Sequence, residues 1–185
     1  MRFASLISAA FALALSSGIA FAQAEWAEFV DRADHFTVNF PGDPAKTDTT
    51  FTTAKGTKLQ GHVYSAQDRR GIYHMTVIDY RNAKDEVGTA IEEAAKMVRA
   101  KGTVKYDGTG MLDNHKSQRI TVETPEGRRL LSEILVSMDG RLYISEADTT
   151  LNAAPPAQFQ ASLQVLDDDG VRIRYRAVGS TERVR

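Results

Sequence analysis

The stretch Asp34-His-Phe-Thr-Val-Asn-Phe-Pro-Gly-Asp-Pro-Ala-Lys46 reads as an extended strand ended by a turn that forbids continuation. Phe36, Val38 and Phe40 recur at period two and share a face, while Thr37 and Asn39 point the other way. Pro41 and Pro44 cannot donate to a strand ladder, and Gly42-Asp43 supplies turn chemistry between them. An apolar strand face must be buried against another layer, so the rest of the chain is read as material that covers and extends it.

Upstream, Met1-Arg2 forms a short positive segment and Phe3 to Ile19 is apolar apart from small residues. Ala20-Phe21-Ala22 and Ala22-Gln23-Ala24 are two small-x-small cleavage sites. This pattern predicts a cleaved signal peptide over 1–24 and hence a periplasmic or secreted protein. A membrane anchor is the alternative, but serines interrupt the run and cleavable small residues end it. The chain has no cysteine, so it cannot be a lipoprotein, hold a disulfide, use thiol catalysis or bind metal through thiolate. About 160 residues remain after cleavage, enough for one domain with a real core. With 23 basic and 24 acidic residues in the chain, nothing points to nucleic acid.

Downstream, the threonine-rich segment 46–53 suits a half-exposed strand, Lys55-Gly56-Thr57 a turn, and 59–67 another strand. Ile72 to Tyr80 carries apolar residues on both parities, as a strand covered on both faces should. Thr89-x-x-Glu92 has capping-box spacing, and Ile91, Ala94, Ala95 and Val98 form a helical stripe. Glu92 and Lys96 are spaced to pair, and Gly102 is placed for a left-handed cap. Segments 116–124 and 128–138 alternate, with Leu130, Ile134, Val136 and Met138 expected inward; Asp139-Gly140 then signals a hairpin into 141–149. Pro155-Pro156 opens a second predicted helix to 166, striped by Phe159, Leu163 and Leu166. A closing strand, 171–176, alternates Val171, Ile173 and Tyr175 with Arg172, Arg174 and Arg176, and 177–185 shows no periodicity. The expectation is one α+β domain over 25–176: a curved antiparallel sheet with helices on both faces.

The aromatic-rich start followed by Phe36-Thr-Val-Asn-Phe-Pro-Gly-Asp-Pro44 resembles the opening of PsbP-like proteins and their exported bacterial relatives such as DcrB. The order of long hairpins, mid-chain helix and late helix is similar too. The resemblance implies an α/β/α sandwich and brings no catalytic motif that maps onto numbered positions.

Candidate sites are few. His62 and His74 fall in strands that pair as a hairpin and, with an odd-length turn, share a face; no metal-ligand spacing accompanies them, and His35 and His115 sit beside turns. Asp167-Asp168-Asp169-Gly170 lacks the alternating ligands of a calcium loop and reads as a solvated turn. Glu146 and Asp148 share a strand face and could act as an acid/base pair, though no nucleophile elbow accompanies them. Gly108-x-Gly110 is not followed by a helix start and so is no phosphate cradle. Arg172, Arg174 and Arg176 form a basic stripe that either meets an anionic surface or guards an edge strand. No catalytic residue, cofactor or metal is assigned.

The leading expectation is an exported, non-catalytic domain that binds an envelope protein or the envelope surface. The alternative is a carrier of an apolar small molecule, with a pocket between sheet and helix lined by Tyr73, Met75, Phe159 and Leu163. A hydrolase using Glu146 and Asp148 comes third.

Overall fold

The computed structural model describes residues 25–172, so the signal-peptide and tail readings lie outside it. Ten strands fall into two antiparallel sheets. The large sheet contains β3 (Ala45–Thr52), β4 (Lys58–Asp68), β5 (Gly71–Asp79), β6 (Thr103–Leu112), β7 (His115–Glu123), β8 (Arg128–Val136) and β9 (Arg141–Thr150). Its spatial order is β3-β4-β5-β9-β8-β7-β6. The small sheet contains β1 (Trp26–Asp31), β2 (Phe36–Pro41) and β10 (Gln164–Val165), with β2 in the middle. One helix of ten residues, α1 (Ala90–Arg99), entered through a 3-10 turn at Val87–Thr89, and one helical turn, α2 (Ala157–Gln160), complete the described elements.

That order follows from two meanders. The first runs β3-β4-β5; the second returns from the far edge as β6-β7-β8-β9 and docks β9 against β5. The connection between them must travel from the middle of the sheet to its edge. It does so as α1, which packs on β7, β8 and β9. Ala90, Ala94, Ala95 and Val98 face the sheet and are buried over Ile78, Ile120, Val122, Leu130, Ile134, Leu142 and Ile144. This face is therefore roofed over the second meander and left open over much of the first.

The opposite face is where the expected architecture fails. Among the described residues no second long helix covers it; the small sheet does. Phe36, Val38 and Phe40 are fully buried against Tyr64, Tyr73, Met75, Val77, Leu135 and Tyr143. Burying a large apolar side chain of this kind contributes roughly 1.5–3 kcal/mol. The expected helix 155–166 stops after one turn. Ser162 Oγ donates to the Phe159 carbonyl at 2.9 Å and accepts the Asn39 amide at 2.8 Å, tying the chain to β2. Leu163 and Val165 then reach the core at the period-two spacing of an extended strand. Over the described residues the protein is mostly β, two sheets with α1 as their one helix of more than a single turn, rather than an α+β sandwich with helices on both faces.

Several local expectations are corrected as well. Thr89 Oγ1 donates to Glu93 rather than Glu92, and Glu92 accepts from Arg99 rather than Lys96. Gly102 does not adopt a left-handed conformation; a Cβ there would lie 2.2 Å from the Glu123 carbonyl oxygen, so the requirement is close backbone approach. Asp139-Gly140 does sit in a hairpin, but Ser137 and Arg141 pair around three residues, with Gly140 at φ +88°. Met138 consequently lies in the turn and is 83% exposed instead of inward.

Candidate functional site

The open half of the large sheet holds a groove of about 200 Å³ along the edge of α1. Phe51 of β3, Val63 of β4, Thr76 and Ile78 of β5 and Ile144 of β9 line the sheet side; Ala94, Met97 and Val98 line the helix side. Met97 overhangs the rim at 54% exposure, although it belongs to a helix whose sheet-facing residues are buried. Glu146 of β9 and Lys101, just past the helix C-terminus, also line the groove. Lys101 Nζ donates to Glu146 Oε1 at 2.6 Å, and Ser132 Oγ donates to the same oxygen at 3.3 Å.

Beyond the groove, register lines up Ser65, His74, Glu146 and Ser132 in one row across β4, β5, β9 and β8. A serine, an imidazole and a carboxylate in a row invite comparison with an acyl-transfer relay. A relay needs the imidazole between hydroxyl and carboxylate, one on each ring nitrogen. Here His74 Nδ1 meets Ser65 Oγ at 2.8 Å, while Glu146 turns to Lys101 and Ser132 instead of His74. Asp148, on the same face, accepts from Arg128 Nε at 2.7 Å. The two carboxylates proposed as an acid/base pair are thus each held by a separate cation.

A second polar cluster, between the sheets, escaped sequence reasoning. Tyr64 Oη stands 2.7 Å from Asp31 Oδ2 and 2.5 Å from Asp34 Oδ2, and its single hydrogen can serve only one of them at a time. His62 Nδ1 approaches Asp34 Oδ2 at 2.6 Å, and Lys46 Nζ lies 3.3 Å and 3.5 Å from Asp31 and Asp34. Burial pushes the Asp31 carboxyl up, but hydrogen bonds from Tyr64, the Asp34 amide and Lys46 outweigh it and hold Asp31 below its ordinary value. Burial, joined by the two carboxylates, pushes the Tyr64 phenol far up. Asp31-Arg-Ala-Asp34 has the polar composition of a turn, but nothing in that stretch says that β4 brings Tyr64 and His62 beneath it.

The remaining expectations fall as follows. His62 pairs with Val77 and His74 with Ser65, because Asp68 and Gly71 are joined by only two residues; the imidazoles stand on opposite faces rather than one. His35 lies near Asp139 and Asp168 at 3.7 and 3.8 Å, and burial followed by the Arg141 charge lowers its proton affinity. Among the described residues no cluster of three or more histidine, aspartate or glutamate side chains could hold a metal. Asp167 Oδ1 accepts the amides of Asp169 and Val171, organising its own turn. Tyr73, Met75, Phe159 and Leu163 do come together, but as buried packing between the sheets, with the Tyr73 and Phe159 rings 5.4 Å apart. Arg172 is ion-paired to Glu28; Arg174 and Arg176 lie outside the described residues.

No family model matches the sequence, and no curated protein does. Among solved structures the chain is similar to the solution structure of cyanobacterial PsbP (CyanoP) from Synechocystis sp. PCC 6803. The two share 12% identity at a TM-score of 0.48, over 82% of this chain and 98% of that one. Among the described residues no helix is long and apolar enough to cross a membrane.

Proposed function

We propose that this chain is an exported, non-catalytic domain that binds a protein partner through the open half-face beside α1. One observation carries the reading. The face is roofed over β7, β8 and β9, yet beside β3, β4 and β5 it leaves an apolar-floored groove, with Met97 exposed at its rim and Ile72 exposed farther along the same face of β5. Exposed apolar side chains next to a groove are what a docking surface presents. The envelope-surface form of the proposal draws less support, since Arg172, the described member of the basic stripe, is engaged by Glu28.

Site-specific photo-crosslinking in living cells tests the proposal. A photoreactive side chain at Ile72 or Met97 is expected to give one adduct of discrete mass, and the same group at Thr109 on edge strand β6 none. Adducts from all three positions, or from none, would refute a dedicated docking face.

A further inference from the structure

We propose that the groove receives a cationic side chain, lysine or arginine, from the docked partner, and that Lys101 is its internal stand-in. This inference rests on the docking proposal above and names the chemistry of its anchor.

The groove has the capacity of roughly seven water volumes, enough for one long side chain and too little for a folded element. Its floor is apolar, through Phe51, Val63, Ile78, Ala94, Val98 and Ile144. Among the residues lining it, Glu146 carries the carboxylate. An apolar trench ending in a carboxylate matches a side chain with an aliphatic stem and a positive tip. The last turn of α1 lies at the same end, and the negative end of a helix dipole favours a cation there.

The bonding of Glu146 decides the sign of the ligand. Its side chain is 13% exposed, and both of its donors, Lys101 and Ser132, converge on Oε1. Oε2 has no donor among the described residues. Glu146 is therefore a fixed acceptor with capacity to spare. Lys101, by contrast, is 43% exposed and, among the described residues, held by this one ion pair. It can swing into solvent when another cation arrives. The neighbouring basic residues do not compete: Arg99 is engaged by Glu92 and Asp107, and Arg128 by Asp148. His74, directly opposite Glu146 in the ladder, is bonded to Ser65.

Three probes of equal length separate the possibilities: hexylammonium, hexanoate and hexanol, titrated into the purified protein and followed by the NMR methyl signals of Val63, Thr76 and Met97. Hexylammonium is expected to shift these signals with a Kd about tenfold below those of hexanol and hexanoate, the scale of one added charge contact. Glu146→Gln, which keeps the shape and the Ser132 partner, should bring hexylammonium to within about twofold of hexanol. Lys101→Ala should tighten hexylammonium about threefold or more by removing its competitor, a gain that a merely structural ion pair does not predict. Hexanoate binding as well as hexylammonium, a Lys101→Ala variant that binds more weakly, or no shift at the groove with any probe would each overturn the inference. Crosslinking from Ile72 and Met97 reads the docking proposal separately. Adducts that form equally well in Glu146→Gln would leave docking standing and remove the cation, whereas hexylammonium binding without adducts would refute docking, and the partner's side chain with it, and leave only the groove's preference for a cation.

Discussion

Replacing Tyr64 by phenylalanine tests whether the polar cluster between the sheets holds the small sheet in place. The ring is fully buried and packs edge-on against Phe36 at 5.0 Å, and those contacts survive the change. Only the hydroxyl goes, and with it one hydrogen bond to a charged acceptor, of a kind that contributes about 1.5–3 kcal/mol. Asp34 retains His62 and Lys46; Asp31 retains Lys46 and the Asp34 amide. The loss should therefore fall in the lower part of that range, about 1.5–2 kcal/mol at pH 7 by urea denaturation, or about 3–8 °C in Tm for a chain of this size. The effect carries a pH signature. Asp31 is held below its ordinary value of 3.8, so its contribution is fully present above that pH and is lost as pH falls through the depressed value. Without the phenol the depression is smaller, so wild-type and variant stabilities should stay apart above pH 3.8 and converge as the solution is acidified from there through the depressed value. A difference below about 0.5 kcal/mol at pH 7, or one that stays constant across that interval, would refute the reasoning.

Three further changes have definite expected outcomes. Gly102→Ala puts a methyl group 2.2 Å from the Glu123 carbonyl oxygen and 2.9 Å from Thr124 Cα, so urea denaturation should show a loss of about 1–3 kcal/mol; a neutral result would mean that the backbone gives way freely. Ser162→Ala leaves the Asn39 amide without its acceptor and should cost about 1–2 kcal/mol, with faster amide exchange at Asn39. Glu86 accepts from Thr53 Oγ1 at 2.5 Å and Thr57 Oγ1 at 2.7 Å, which hold its carboxyl below the ordinary value. Its clamp on the β3–β4 turn should therefore be complete above about pH 4.5 and weaken as pH falls below it; protection of the Gly56 and Thr57 amides, taken relative to intrinsic exchange at each pH, should fall on acidification in the wild type and should be low and flat across that range in Glu86→Gln.

Local periodicity carried much of the fold. Phe36, Val38 and Phe40, the two-sided strand 72–80 and the stripe of α1 are legible because each pattern is the direct imprint of burial on one element. The second helix was misread because Phe159, Leu163 and Leu166 satisfy helical spacing and also suit a single turn followed by extended chain. What separates the two is Ser162 meeting Asn39 on β2, a contact between segments far apart in sequence. The division into two sheets was illegible for the same reason, since no strand states which sheet it joins. The candidate groove is a still more distant consequence. It exists because α1 passes over β7 to β9 and not over β3, and only the strand order reveals that route.

The seam between β5 and β9 bears on how such a chain survives its own synthesis. Each meander can zip with neighbours close in sequence, but β5 acquires its second partner only after about sixty further residues have emerged, a long loop to close before any reward arrives. Until then a nine-residue strand, with Tyr73, Met75 and Val77 on one side and Ile78 on the other, stands as a bare hydrophobic rim. A chain stalled or clipped before β9 would present that rim to its neighbours and aggregate through it.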